Sequence, residues 1–428
     1  MANAFATREE IGSSQLAQLR RLVSALVPTN RFYSQKFSPL GSCEIRSLED
    51  FTTRFPFTTK QELVEDQLAQ PPYGTNLTFP QDHYTRLHQT SGTRGQPLRW
   101  LDTPENWNWM VESWRTIFLA AGVKSDERVY FAFSFGPFIG FWLAFEAAQK
   151  LGCLCIPGGG LSSEARLRGI LDNGASILCC TPTYALRLGE VAAQQGTNLA
   201  QSKIKTIIVA GEAGGSIPAT RDAISKLWNG ARVFDHHGMT ETGPVTYECP
   251  AQPGILHVIE SAYLAEIVEP TNGKPVQPGD VGELVLTTLG RIGSPLLRYR
   301  TGDLVKQKKQ TACVCGCVDM ALDGGILGRA DDMVIVRGVN IYPSAVEEII
   351  RSCGGIAEFR MHISHAHALP EIKVVIEPAS DCSEPKQLSD KLGKMFSHAF
   401  ALRVPVEIVN AGALPRFEMK AKRWVIES

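Results

Sequence analysis

The stretch IKTIIVAGEAGGSIPATRDAISKLWNGARVFDHHGMTETG, from Ile204 to Gly243, contains one complete unit of the fold. Ile204 to Val209 is an apolar, β-branched run of strand length, Ile217 to Trp228 has helical spacing, and Arg232 to Phe234 is a second short strand. A strand, a crossover helix and another strand predict two parallel neighbours in one sheet. Toward the N-terminus the alternation continues, with strands at Val129 to Phe133, Cys153 to Ile156 and Ser176 to Cys180. Helices are predicted between them at Ile139 to Lys150, Ser163 to Leu171 and Pro182 to Ala193. Repeated β-α units predict an α/β fold with a mainly parallel sheet covered on both faces.

Toward the C-terminus the architecture changes. From about Val245 the helices thin out, and runs such as Tyr263 to Val268 and Val281 to Thr288, punctuated by Gly and Pro, predict antiparallel strands or a small barrel-like region. Beyond Gly328-Arg329 the order is strand, helix, two strands, helix and strand, at 333–336, 344–352, 359–364, 371–376, 389–401 and 404–409. About a hundred residues with both element types suffice for a compact second domain. The reading is therefore a large domain over 1–328 and a smaller α+β domain over 329–428.

Composition narrows the function classes. With 43 Lys and Arg against 44 Asp and Glu, the formal net charge of −1 supplies no bulk attraction to nucleic acid or to an anionic membrane. Val129 to Ala148 is nearly all apolar and about as long as a bilayer requires, but Gly136-Pro137 divides it and Glu146 lies inside it. A buried strand followed by a core helix accounts for it better. Eleven cysteines without an even framework, and no secretory pattern at the N-terminus, predict a reducing cytoplasm.

Five segments carry candidate chemistry. His88-Gln-Thr-Ser-Gly-Thr-Arg-Gly-Gln-Pro97 is a loop of glycines and hydroxyls, suited to surrounding phosphate oxygens, although a plain surface turn has the same composition. It lacks the Gly-Lys-Ser/Thr ending of a Walker A loop. Asp235-His-His-Gly-Met-Thr-Glu241 follows directly on a predicted strand, and ligands of parallel sheets bind beyond the carboxyl ends of strands. There Glu241 has the chemistry to hold Mg²⁺, while a solvated loop is the competing reading. Tyr299-Arg-Thr-Gly-Asp303-Leu, Gly328-Arg-Ala-Asp-Asp332 and Leu414-Pro-Arg-Phe-Glu-Met-Lys420-Ala-Lys-Arg423 complete the set.

In this order and across residues 90 to 423, these segments resemble the adenylate-forming superfamily, most closely its phenylacetate-coenzyme A ligase branch. Thr90 to Pro97 is similar to the family's phosphate loop, with Arg94 and Gln96 as departures; Gly211-Glu212-Ala213 is similar to its adenine-side segment. His237-Gly238-Met239-Thr240-Glu241 resembles a motif in which the family has an aromatic ring at the position of His237, and Met419 replaces a glycine before Lys420. The resemblance implies that a carboxylate attacks the α-phosphate of ATP, pyrophosphate leaves, and the acyl group passes from the adenylate to coenzyme A.

Such a reaction brings two anions together, so cations and N–H donors must face the charge that develops. The resemblance casts Lys420 as the bridging cation, Glu241 as the Mg²⁺ ligand, and Thr90, Ser91, Gly92, Thr93 and Gly95 as the phosphate cradle. Asp303 suits the ribose hydroxyls, assisted by Arg329, while Asp235, His236 and His237 join Gly211 to Ala213 around the nucleotide. Asp331 matches the hinge of a mobile small domain, and a homodimer is also implied. Together with the branch resemblance, the aromatic residues Phe131, Phe133, Phe135, Phe138, Phe141 and Trp142 favour an aryl or arylacetic acid, though plain core packing uses the same residues. Two rival readings are a related nucleotidyl transferase that leaves AMP on its acceptor and a non-catalytic nucleotide-binding relative.

Cys313-Val-Cys315-Gly-Cys317 is a dense thiol cluster, and Cys249 and His257 precede it at a spacing that a β-hairpin can bridge. Three thiolates and an imidazole make a tetrahedral zinc set, and the phenylacetate ligase branch shows a similar pattern, which selects Cys249, His257, Cys313 and Cys315 as structural ligands. Cys317 is left undecided, and buried unligated thiols are the alternative.

Overall fold

The computed structural model describes residues 7–90, 97–309, 313–330, 334–336, 339–364, 371–417 and 421–427. Five parallel strands form the central sheet, in the spatial order Leu154–Pro157, Arg128–Phe131, Ile177–Cys180, Thr206–Val209, Arg232–Asp235. Successive residues of a strand point to opposite faces, and each face has its own core. Val129, Phe131, Ile177, Cys179, Ile208 and Phe234 pack on one side with Trp114, Ile117, Ala144 and Ala147. Tyr130, Leu178, Cys180, Ile207 and Val209 pack on the other with Leu167, Tyr184, Leu188, Ile224 and Trp228. The helices on that second face are Ser163–Asp172, Pro182–Gln194 and Pro218–Leu227.

The apolar segment that mimics a membrane span divides as its Gly-Pro pair requires: the strand ends at Phe131 and a helix, Trp142–Leu151, begins beyond the turn. No described helix is long and apolar enough to cross a membrane. Helix Pro104–Ala120 covers the same face and was not singled out from the sequence. Thr103 caps it by accepting from the Asn106 N–H, and its buried stripe of Trp107, Met110, Trp114 and Ile117 turns inward.

The strand-rich region is not a barrel. Its strands form a three-stranded sheet in the order Thr246–Glu248, Ile255–Val258, Ala321–Asp323 and a four-stranded sheet in the order Tyr263–Val268, Val281–Thr288, Tyr299–Lys306, Gly328–Arg329. Both are antiparallel and open among the described residues. Closure needs the last strand to pair back on the first; among the described residues the two sheets meet at the isolated bridge of Gln307 with Leu322, and the edge strand Tyr263–Val268 does not pair with Gly328–Arg329.

The C-terminal lobe has a separate core built from Ile341, Val346, Ile350, Phe359, Met361, Val374, Leu392 and Phe396. Its sheet runs Val406–Ile408, Glu371–Pro378, Ile356–Ser364, Trp424–Glu427. The last strand, parallel to Ile356–Ser364, is an element that the sequence did not disclose. Helix Pro343–Cys353 faces helix Pro218–Leu227 of the large lobe, where the Ala219 N–H donates to Glu348 Oε2 at 3.4 Å.

Candidate active site at the carboxyl ends of the parallel strands

The site begins where strand Arg232–Asp235 runs out. Extended backbone turns neighbouring side chains opposite ways, so His236 and His237 face different surroundings. His237 Nε2 lies 2.8 Å from Asp303 Oδ2, and Arg329 Nη1 donates to Asp303 Oδ1 at 3.0 Å. Asp303 and Arg329 are register partners on adjacent antiparallel strands, which is why residues 26 apart in sequence meet. The carboxylate is buried and the guanidinium half-exposed, so this chain of three groups opens toward solvent on the Arg329 side.

His236 turns away from Asp303 and stacks edge-on against Trp114, with ring centroids 4.3 Å apart. Asp235 accepts from Ser216 Oγ at 2.6 Å, and burial pushes its pKa up to about 7. A side chain at Gly215 would collide with this carboxylate, its Cβ coming within 2.2 Å of Oδ1.

Gly238-Met239 then pairs with Gly243-Pro244 in a tight hairpin that presents Thr240 and Glu241 at its tip. A Cβ on Gly238 would lie 2.8 Å from the Gly243 carbonyl oxygen, and Gly243 itself has φ +82° against Met110. Glycine is therefore dictated at both positions. The Glu241 carboxylate is buried and pairs with Lys60 Nζ at 3.0 Å, a lysine that sequence reasoning did not single out. Arg291 fixes the backbone behind it, Nη1 donating to the carbonyls of Thr240 at 3.0 Å and Glu241 at 2.7 Å. The remaining nitrogens of Arg291 form a two-pronged bond with Asp102, at 2.7 and 2.6 Å, and both side chains are fully buried.

Thr90 stands at the start of the hydroxyl-rich loop, its Oγ1 accepting from the Leu98 N–H at 3.0 Å and its own N–H donating to the Leu98 carbonyl at 2.9 Å. These two bonds hold the loop's two ends together. Ser91, Gly92, Thr93 and Gly95 lie outside the described residues. Gly211 has φ +95°, and Glu212 beside it bridges the lobes: Oε1 accepts from the Thr183 N–H and Oε2 from the Ala421 N–H, each at 2.8 Å. Arg423 Nη1 reaches Thr183 Oγ1 at 3.3 Å and holds Glu358 through Nε and Nη2. Lys420 and Asp331 also lie outside the described residues, but the position after Lys420 is thus tied to the Gly211–Ala213 segment of the large lobe.

Cys249, His257, Cys313 and Cys315 converge, their ligand atoms all within 4.8 Å of one another. Cys249 Sγ lies 3.5 Å from Cys313 Sγ, and Cys315 Sγ 3.5 Å from His257 Nε2. His257 Nδ1 lies 3.3 Å from the Asp319 carbonyl oxygen, and burial lowers the imidazole pKa, keeping Nε2 available as a ligand. Cys317 stands apart from this group: its sulfur is 3.0 Å from the Tyr247 hydroxyl and accepts from the Asp319 N–H.

Comparison with known proteins places this geometry. The AMP-binding enzyme family model matches residues 46–290, and the model of the AMP-binding enzyme C-terminal domain matches residues 338–427. The chain is 31% identical to a phenylacetate-coenzyme A ligase of Thermus thermophilus, over 92% of this chain and 88% of that protein. It is 30% identical to one of Pseudomonas putida, over 97% and 94%. Among solved structures it is similar to 2-hydroxyisobutyryl-CoA ligase in the postadenylation state with 2-HIB-AMP, at 26% identity and TM-score 0.93, covering 98% of this chain and 90% of that one. Against the same enzyme in the thioesterification state with 2-HIB-AMP and CoA the TM-score is 0.74, over the same shares of both chains.

Proposed function

The chain belongs to the AMP-binding enzyme family and is an adenylate-forming, AMP-producing CoA ligase, and we propose that the acid it activates is aryl or arylacetic. The observation that carries the reading of the site is the meeting of four separate motifs at one end of the parallel sheet. His237, Asp303, Arg329 and Glu241 come from three segments, and the backbone beside Lys420 docks on Glu212. The aromatic acid is supported by Phe133, Phe135, Phe141 and Trp142, which pack ring against ring at 4.5 to 4.9 Å and leave Phe133, Phe135 and Trp142 half-buried.

In this proposal Asp303 accepts hydrogen bonds from the ribose hydroxyls, and Arg329 holds its carboxylate in place. Thr90, Ser91, Gly92, Thr93 and Gly95 surround the β- and γ-phosphates with hydroxyls and amide N–H groups. Lys420 bridges the acid's carboxylate and the α-phosphate, lowering the repulsion between them as the new bond forms. Two different domain arrangements of a similar enzyme support a swing of the small lobe, and this structure matches the postadenylation one. Withdrawal of Lys420 after adenylation clears the approach for the CoA thiol, with Asp331 proposed as the hinge.

Magnesium fits this site, since Mg²⁺ is commonly held by one or two carboxylates together with substrate phosphates, and Glu241 supplies a buried carboxylate at the hairpin tip. When bound, the ion neutralises polyphosphate charge. Glu241 presents the ligand, Arg291 fixes its backbone, and Lys60 balances its charge. Zinc fits the convergent Cys249, His257, Cys313 and Cys315 set, whose donors are soft and whose imidazole already has a backbone partner. With four protein ligands the ion would have a structural role. None of the eleven cysteines is paired in a disulfide, which supports a reducing cytoplasm.

The test is to incubate the protein with MgATP, phenylacetate and coenzyme A and to identify products by mass spectrometry. The proposal expects phenylacetyl-CoA and free AMP. A stable adenylylated product would instead identify a nucleotidyl transferase, and ATP bound without turnover of any acid would identify a non-catalytic relative.

A further inference from the structure

His236 is the one described residue whose two ring nitrogens are both buried without a well-formed hydrogen bond, the polar group in reach being the backbone of its neighbour His237. Its exposure is 6%. Leaving polar atoms unpaired in a dry interior is costly, and each such group in a folded protein calls for an explanation. An aliphatic side chain would fill this position without that cost. Burial, reinforced by the neighbouring His237, pushes the ring's pKa down to about 3, so near neutral pH it carries one N–H donor and one bare nitrogen acceptor.

The ring's position is informative. The His236 N–H continues the ladder of the parallel sheet by donating to the Val209 carbonyl at 3.3 Å, which fixes the backbone. The next side chain, His237, faces Asp303 and hence the nucleotide side of the site. His236 itself faces Trp114, which packs on Phe141 at 5.9 Å, and Phe141 packs on Phe133 at 4.5 Å. The unpaired imidazole thus stands at the junction between the nucleotide side and the aromatic surface, where an acyl group joined to the α-phosphate would extend.

Resting on the ligase reading above, we infer that His236 is a specificity-determining residue, selecting acids whose acyl portion carries a hydrogen-bonding substituent such as a hydroxyl group. A hydroxyl can accept from the imidazole N–H or donate to its bare nitrogen, and satisfying either removes part of the cost described. An acid with only carbon and hydrogen beyond its carboxylate offers the ring no such bond. A site built around one such bond discriminates by roughly ten- to a hundredfold, and by more when water is fully excluded.

The experiment measures kcat/KM, from AMP release, for phenylacetate against its three ring-hydroxylated isomers and for isobutyrate against 2-hydroxyisobutyrate. The wild type is expected to favour at least one hydroxylated acid over its parent by roughly tenfold or more. His236→Leu should bring that ratio to one or below, and His236→Asn, which keeps a donor and an acceptor, should retain part of it. Because the readout is a ratio, a general loss of activity cancels. A wild type that favours the parent in every pair overturns the inference by itself, even if the Leu variant does not fold; an unchanged ratio in His236→Leu overturns it as well. AMP formation without a hydroxyl preference refutes this inference alone, whereas no AMP from any acid refutes the ligase reading and the inference with it.

Discussion

Replacing Arg291 by Met should destabilise the large lobe by about 4 kcal/mol, within the 3–5 kcal/mol range for breaking a buried ion pair. The guanidinium and the Asp102 carboxylate are both fully buried, so removing the cation leaves an uncompensated charge that water cannot reach. Four hydrogen bonds are lost, two to Asp102 and one each to the carbonyls of Thr240 and Glu241. A contact over the Trp100 ring at 5.3 Å goes as well. At about 2–4 °C per kcal/mol, the melting temperature should fall by roughly 10 °C. The double variant Arg291→Met with Asp102→Leu should recover part of the loss, since the stranded charge is gone and only the two carbonyls lack their donor. Both variants should raise the KM for MgATP, because the tip of the Gly238–Gly243 hairpin loses its tether in each. Denaturant melts of the single and double variants give the coupling directly. A shift below 1 kcal/mol for Arg291→Met, or strictly additive single effects, would show that the pair does not hold the hairpin as described.

Other outcomes follow from the same structure. Asp235→Asn should stabilise the protein above pH 8 and leave it unchanged below pH 4. The folded-state pKa of about 7 lies above the ordinary carboxylate value, so the proton held in the fold contributes stability that is lost as pH rises through 7. Three units correspond to at most about 4 kcal/mol, and urea melts at pH 4, 6 and 8 should show the gain growing with pH. Purified protein should contain about one zinc per chain, and Cys313→Ser should abolish it and lower the melting temperature; metal-free protein after expression with zinc supplied would remove the structural-zinc proposal. Lys420→Ala should lose pyrophosphate exchange by roughly two to three orders of magnitude yet still convert a supplied acyl-adenylate to thioester. Exchange at the wild-type rate would take the bridging role away from that lysine.

The parallel sheet was legible because its strands and helices differ in hydrophobic period, and every central strand and crossover helix falls within a few residues of its predicted place. Glu241, Asp303 and Arg329 were singled out through short motifs that resemble those of a family, and the fold brings Asp303 and Arg329 together as register partners. Of the two readings of the strand-rich region, antiparallel strands hold and a closed barrel does not, because strand-like runs disclose strands but not how they close. The Trp424–Glu427 strand was missed because a four-residue run following a basic segment has no period to read. Long-range pairs leave no local mark either: Asp102 and Arg291 are 189 residues apart, and Lys60 and Glu241 are 181 apart. The unpaired state of His236 is likewise a property of its surroundings, since His-His after a strand reads equally well as two ligand-binding residues.

Isotope exchange tests the central claim most directly. Labelled pyrophosphate should enter ATP when protein, Mg²⁺ and a suitable acid are present, and coenzyme A should not be needed, because the adenylate forms before the thiol is used. Exchange that proceeds equally without any acid, or only once coenzyme A is added, would contradict an acyl-adenylate formed on this enzyme.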